Sequence, residues 1–297
     1  MVDLLINLND FSDLRELIEV ISPLHVVSKQ NIKIKIIFRE YNELSHLLCI
    51  IAVIQSLRKK GKKVFIYCDT NLSYLQSINF FKELEIKHTE SFQRYESTGR
   101  FLEITHMTKD TANEYVNNIM RILDSKMSSS KDTIACLNYC LWELVDNIQE
   151  HANSIIGGYT AAQYCPQKNC IEIVIVDVGC GICSSLKKNP KFKNLSEKET
   201  IKCCIQKGYT RGTGQGNGLF QTTRFIQENN GIFCLYSGNY TLKIKNGKVQ
   251  IDSAPQWQGT IIHVKLNSDV PVALNKIFGD NIPTSVDEYS DLINGLW

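Results

Sequence analysis

The sequence predicts an α/β (α+β) protein in two parts, on three observations. The chain has 297 residues, and at roughly 150 residues per domain this length favours two domains. Its hydrophobic content of 43% with only 6 prolines is that of a globular chain with a full core, which excludes a disordered or fibrous protein. Short apolar runs alternate with helical patterns in the first hundred residues, and this alternation favours an α/β layer structure.

The strands and helices expected in the first part of the chain follow from these apolar runs and helical patterns. The runs typical of strands cover 4–8, 32–38 and 64–67. The helical patterns between and after them cover 11–21, 43–58 and 74–84. A cluster of four lysines at 59–63 with a central glycine is typical of a solvated helix end, and a nucleic-acid patch is the alternative.

The second part begins after a connecting segment. Three serines at 128–130 interrupt the helical pattern of 109–127, and we expect the domain boundary within 105–130. We therefore predict an interaction domain at 1–105, a connecting helix and linker at 106–130, a second domain at 131–268 and an acidic tail at 269–297. The elements expected in the second domain are a helix at 133–151, a hairpin of 159–164 and 171–177, a helix from 219, and strands at 231–236, 240–245 and 260–266.

Composition restricts the location and the partners. The formal net charge of +2 indicates no general attraction to nucleic acid or to an anionic membrane. The longest apolar stretch, 44–57, is interrupted by polar residues and is shorter than the ~18 residues of a membrane span. The N-terminus lacks a basic region typical of a secretory signal. Because 11 scattered cysteines indicate reduced thiols in such a chain, we expect a cytoplasmic protein.

The residues suited to ligand binding and catalysis are concentrated in four sequence elements. On the helix of 133–151, Glu143, Asn147 and His151 are spaced four residues apart and so line one edge, where one group can orient water and another can bind a cation. Asp177, with Gly179 and Gly181, ends an apolar strand. A carboxylate there requires hydrogen bonds, and the glycines let a flat ligand approach the backbone.

The other two elements are glycine-rich. Glycines at 212, 214, 216 and 218 lead into a helix at Leu219, and backbone N–H groups at a helix N-terminus attract phosphate oxygens. Gly259 and Thr260 precede the strand of 261–266. Neither a GxGxxG dinucleotide fingerprint nor a GxxxxGK[ST] loop occurs in the chain.

These four elements, in this order, resemble the boxes of the Bergerat-type (GHKL) ATP-binding fold shared by DNA gyrase, a heat-shock chaperone, histidine kinases and mismatch-repair ATPases. The resemblance covers about 133–266 and implies a sandwich of helices on a mixed sheet, with ATP and Mg²⁺ as ligands. The family's ExxxN box matches Glu143 and Asn147. Its DxGxG box matches Asp177, Gly179 and Gly181, and its GxGxGL box matches Gly214, Gly216, Gly218 and Leu219.

The resemblance implies a role for each position. Asp177 would accept the adenine amine with help from Thr260 through water, and Asn147 would hold Mg²⁺. Gly214, Gly216, Gly218 and the Leu219 amide would cradle phosphates. Glu143 would be the general base that orients the attacking water. His151 would lie at the nucleotide or be a helix-end polar residue without a role, and the polar segment 183–211 would be a mobile lid whose Lys207 and Arg211 could touch the γ-phosphate.

The first part has a weaker resemblance. Residues 32–84 run strand, helix, strand, helix, and this segment is similar to the STAS domains of anti-anti-sigma factors and transporter tails. The phosphoacceptor motif of that family is absent, and Tyr41-Asn-Glu-Leu-Ser45 occupies its place. We therefore expect a smaller STAS-like domain that acts as a protein-interaction module, with an unrelated α/β layer as the alternative.

Three functions stay open from the sequence. The first is a slow Mg-ATP hydrolase whose lid closure changes domain or partner packing, with Glu143 as its catalytic residue. The second is a serine/threonine protein kinase of anti-sigma type that acts on a protein partner, since the helix of 109–127 contains no histidine for self-phosphorylation. The third is an adaptor that binds ATP without turnover. A protein partner is expected, through the first domain or the tail, and a homodimer is possible in each case.

The tail carries five acidic residues against one lysine and ends in apolar pairs. This pattern favours a peptide packed on its own domain, and an amphipathic segment that docks on another chain is the alternative.

Overall fold

The computed structural model describes residues 1–39, 42–90, 101–108, 110–126, 130–148, 153–210 and 217–279. The strands are β1 (Val2–Asn7), β2 (Asn31–Ile37), β3 (Lys63–Tyr67), β4 (Phe101–Met107), β5 (Gly158–Cys165), β6 (Cys170–Asp177), β7 (Ile232–Lys245) and β8 (Lys248–Asn267). The helices are α1 (Leu14–Ile21), α2 (Leu44–Lys59), α3 (Ser73–Ser77), α4 (Phe80–Glu83), α5 (Ala112–Lys126), α6 (Lys131–Asp146), α7 (Gly181–Leu186), α8 (Glu197–Cys203), α9 (Gly218–Glu228) and α10 (Leu274–Phe278).

The N-terminal strands form a parallel sheet. Its order is β1-β2-β3, and the register pairs Ile6 with Ile36 and Ile34 with Ile66. β1 and β2 are each followed by a helical connection that brings the chain back to begin the next strand in the same direction, as parallel pairing requires. The α/β alternation predicted for this part is therefore present.

Helix α2 is the centre of the molecule. All but three of its 16 residues are buried, which is typical of a helix covered on every side. One core cluster contains α2 together with Ile34 of the N-terminal sheet and Val174 and Val176 of β6. The helix is thus packed between two sheets, and the two predicted domains share a core.

The second sheet has the order β4-β5-β6-β8-β7, and every described pairing in it is antiparallel. The mixed sheet expected for this part is wrong for these strands. Side chains alternate along β6: Val174 and Val176 face the N-terminal layer, while Ile173 and Ile175 join a second core with α5, α6 and α9. The sheet is therefore buried on both faces.

Some boundaries differ from the predicted ones. Because β4 pairs with β5, the predicted division at residues 105 and 106 cuts through a strand of the second sheet. The helix expected at 74–84 is two short helices, and Asn79 between them has a left-handed φ of 63°. The strands expected at 231–236 and 240–245 are one strand, β7, with a register shift near Gly238.

A polar cluster joins the N-terminal layer to the second sheet. The Glu172 carboxylate on β6 lies 2.6 Å from His263 Nε2, and accepts a hydrogen bond from Gln163 Nε2 at 2.6 Å. Tyr74 of α3 donates its hydroxyl to Gln163 Oε1 at 3.3 Å. Burial raises the pKa of Glu172, but His263, Gln163 and Lys265 outweigh it and hold this pKa at about 2.

None of the helices in the described part of the chain combines the length and the apolar character needed to cross a bilayer.

Candidate nucleotide site

Asp177 ends β6 as a buried carboxylate. Its side chain is 4% exposed, and Oδ1 accepts the N–H of Gly179 at 2.7 Å. The side chain and backbone of Thr260 also donate hydrogen bonds to it. Burial raises the pKa of Asp177 to about 7, because the hydrogen bonds from Gly179 and Thr260 only partly offset the loss of water. The group can therefore change its charge near neutral pH.

Gly259 lies against the backbone and carboxylate of Asp177. Its φ is +106°, which strongly favours glycine, and a Cβ at this position would overlap the Asp177 carbonyl oxygen. Trp257 packs beside the same group, is 1% exposed and donates its indole N–H to the Asp177 carbonyl at 3.1 Å. The β8 segment 257–260 thus fixes both the backbone and the side chain of Asp177.

A hydrogen-bond chain links this segment to α7. Ser237 Oγ donates to the Gly259 carbonyl at 2.7 Å and accepts the N–H of Ile182 at 3.0 Å. Gly181, the first residue of α7, lies beside it, since a Cβ there would be 2.7 Å from Ser237 Oγ. Gly179 and Gly181 therefore lie at the turn where β6, β7, β8 and α7 meet.

Glu143 lies at the N-terminus of α9. A Cβ on Gly218 would overlap the Glu143 carboxylate, so the glycine lets this carboxylate reach the first residue of α9. Burial raises the pKa of Glu143, while a hydrogen bond from the Tyr139 hydroxyl opposes this rise. A buried carboxylate with a raised pKa that faces a helix N-terminus is suited to general-base chemistry.

Asn147 follows the last residue of α6, where the helix widens into a π-type turn at residues 147 and 148. Such turns are frequent at functional sites. Its Nδ2 donates to the Glu143 carbonyl at 2.7 Å, which leaves Oδ1 as the atom suited to a hard cation. Among the described residues no three His, Cys, Asp or Glu side chains converge.

The end of α6 also reaches the Asp177 region. Gly158 of β5 is paired with Asp177, and a Cβ on Gly158 would lie 2.9 Å from the Ile148 side chain. The structure therefore brings the ExxxN helix, the Asp177 turn and the first residue of α9 into one neighbourhood.

The segment expected to be a mobile lid contains α7 and α8. Ser196 and Glu199 form a reciprocal cap at the start of α8. The Glu197 carboxylate accepts hydrogen bonds from the backbone N–H and the side chain of Asn239 on β7, at 2.8 and 3.0 Å. These contacts fasten α8 to the second sheet, and Lys207 beyond it is exposed.

Of the remaining residues predicted to belong to the site, one is described by the structure and four are not. Leu219 is the second residue of α9 and packs at the edge of the second core. His151, Gly214, Gly216 and Arg211 lie outside the described residues.

Sequence reasoning missed four residues that shape the site. Tyr139 lies one helical turn before Glu143, and this spacing of four residues could have predicted the contact between the two side chains. Ser237, Trp257 and Gly158 reach the site only through strand pairing in the antiparallel sheet, and no local motif marks them.

Comparisons with known proteins assign no family to the chain. No protein-family model matches the chain, and a search of curated proteins finds no significant match.

Proposed function

We propose that the chain binds ATP with Mg²⁺ at the turn after β6 and hydrolyses it slowly. The observation that best supports this proposal is the position of Asp177, a buried carboxylate at the end of a strand with two glycines and Thr260 around it. In the ionised form this group accepts a hydrogen bond from the exocyclic amine of adenine. Mg²⁺, when bound, would neutralise phosphate charge, and Asn147 Oδ1 is the protein atom that would hold it.

Glu143 is the proposed general base. Its carboxylate is buried beside the N-terminus of α9, the end of a helix that attracts phosphate oxygens. The hydroxyl of Tyr139 holds the carboxylate through a hydrogen bond. A water molecule between Glu143 and the γ-phosphate would transfer a proton to the carboxylate as it attacks the γ-phosphorus, while the bond from that phosphorus to the bridging oxygen breaks and ADP leaves with this oxygen.

ATP hydrolysis would change the packing between the N-terminal layer and the second sheet. The backbone of Asp177 is hydrogen-bonded to Trp257, whose ring meets His25 of the N-terminal layer edge-on at 5.3 Å between centroids. A ligand that shifts Asp177 therefore acts directly on the contact between the two sheets, and a protein partner on the N-terminal layer could respond.

The test is the fate of γ-labelled ATP. Purified chain with Mg²⁺ should release labelled phosphate, and Glu143→Gln should abolish release while binding is retained. Glu114→Gln, on the exposed side of α5, is the matched control and should leave release unchanged. Transfer of the label to a protein would instead indicate a protein kinase. Bound ATP with neither released phosphate nor labelled protein would indicate an adaptor that binds ATP without turnover. Either result would contradict the proposed ATP hydrolysis.

A further inference from the structure

The N-terminal parallel sheet has an uncovered face. Ile32, Ile34 and Ile36 of β2 are buried against α2, so the alternate residues of each strand point to the opposite side. On that side Leu5 is 55% exposed and Tyr67 is 53% exposed. Parallel sheets are almost always covered on both faces, so this exposure indicates a missing layer.

The uncovered side, here called the outer face, combines apolar and basic side chains. It consists of Asp3, Leu5, Lys33, Lys35, Ile37, Lys63, Phe65 and Tyr67. The register places Lys35 between Leu5 and Tyr67, and Lys33 between Asp3 and Phe65. A complementary ligand therefore needs an apolar stripe flanked by negative charge.

The sequence of 280–297 has this complementary pattern. The segment contains four acidic residues and no lysine or arginine. Its apolar residues Val286, Tyr289, Ile293 and Leu296 recur at intervals of three or four, the spacing of one helix face. An amphipathic helix is also the usual cover of a parallel sheet.

Geometry excludes the chain's own outer face as the place where this segment docks. Helix α10, which precedes it, packs on α6 and α9, on the far side of the second sheet. Two sheets and the α2 layer then separate α10 from the outer face, a depth of about 30 Å at ~10 Å per layer. Six residues, 280–285, span only about 20 Å when extended.

We propose that residues 280–297 of one copy dock on the outer face of a second copy, so that the chain self-associates. The contact would bury Leu5, Phe65 and Tyr67 under apolar residues and pair Lys33 and Lys35 with acidic ones. This inference does not depend on nucleotide binding.

The experiment is a charge swap in the full chain, followed by sedimentation velocity over a concentration series. Wild type should self-associate, and Lys33→Glu with Lys35→Glu should weaken association about tenfold or more. Asp287→Lys with Glu288→Lys should weaken it similarly, and the four changes together should restore it. Lys245→Glu with Lys248→Glu, at the exposed tip of the β7–β8 hairpin, is the matched control and should have no effect.

A synthetic peptide of residues 280–297 provides a second probe. Excess peptide should dissociate wild-type assemblies, and should bind the Lys33→Glu, Lys35→Glu chain about tenfold more weakly or not at all. Circular dichroism melting of each variant separates lost docking from lost folding. The proposal is overturned if wild type is monomeric at high concentration, or if the segment's charge reversal leaves association intact. Binding of a single-stranded oligonucleotide to the outer face, with no binding of the peptide to the same wild-type chain, would also overturn it.

Discussion

The indole N–H of Trp257 is hydrogen-bonded to the backbone carbonyl of Asp177, at 3.1 Å, in the buried interior of the molecule. This bond joins the middle of β8 to the end of β6, just beyond their last described register pair, Val176 with Ile261. On its other side the indole ring contacts His25, whose pKa is lowered to about 4 by burial and by the charge of Lys60. His25 is therefore neutral at pH 7, and Trp257 connects the N-terminal layer to Asp177 without a charge.

Trp257→Phe should destabilise the fold by about 1–3 kcal/mol, because it leaves the buried Asp177 carbonyl without this donor while a ring remains against His25. Urea unfolding measures the change. Trp142→Phe, at a partly exposed position on α6, is the control and should cost less. A loss well below ~1 kcal/mol for Trp257→Phe would show that the indole N–H at Trp257 is unimportant.

Gly218→Ala should destabilise the chain by about 1 kcal/mol, because the added methyl group overlaps the Glu143 carboxylate and displaces it from its hydrogen bond with Tyr139. Chemical denaturation of a double-mutant cycle with Glu143→Ala isolates this clash. Removing the carboxylate makes room for the methyl group, so the double variant should be more stable than the sum of the two single effects by about 1 kcal/mol or more. Simple additivity would contradict the close approach.

Glu172 should make stability depend on pH in acid. Its pKa is about 2 in the folded chain against an ordinary value of 4.5, so its contribution is full above pH 4.5 and is lost as pH falls towards 2. Glu172→Gln removes this contribution. Thermal melting between pH 2 and 7 should therefore show a smaller loss of stability in acid for the variant. Curves with the same slope for both proteins would exclude the pairing of Glu172 with His263.

Local patterns predicted most of the first half. Helix α2 was expected at 43–58 and occupies Leu44–Lys59, because a long apolar run ends at basic residues and Gly61. The break at Asn79 was missed because a left-handed asparagine between two helical turns leaves the apolar spacing almost unchanged. The packing of α2 between two sheets could have been inferred from its apolar residues on all sides.

The second sheet was harder to predict. Residues 248–259 of β8 carry many polar side chains, and pairing with β7 rather than hydrophobic alternation makes them a strand. For the candidate site, the sequence singles out Asp177, Gly181 and Glu143, and their assignment to a site stays a prediction, while the residues that contact them include members of other strands. Ser237 and Trp257 belong to this second group, and only long-range pairing reveals them.

The most direct test of the account is a calorimetric titration of the full chain with ATP and Mg²⁺ at pH 8. The pKa of Asp177 is about 7, so its carboxylate is mostly ionised there and can accept the adenine amine. We predict measurable binding by wild type and a loss of about 100-fold or more in affinity for Asp177→Asn, whose amide presents a donor where the amine requires an acceptor. Thermal melting of Asp177→Asn verifies that it is folded. Absence of binding heat for the folded wild type, or equal affinity in the variant, would contradict the account.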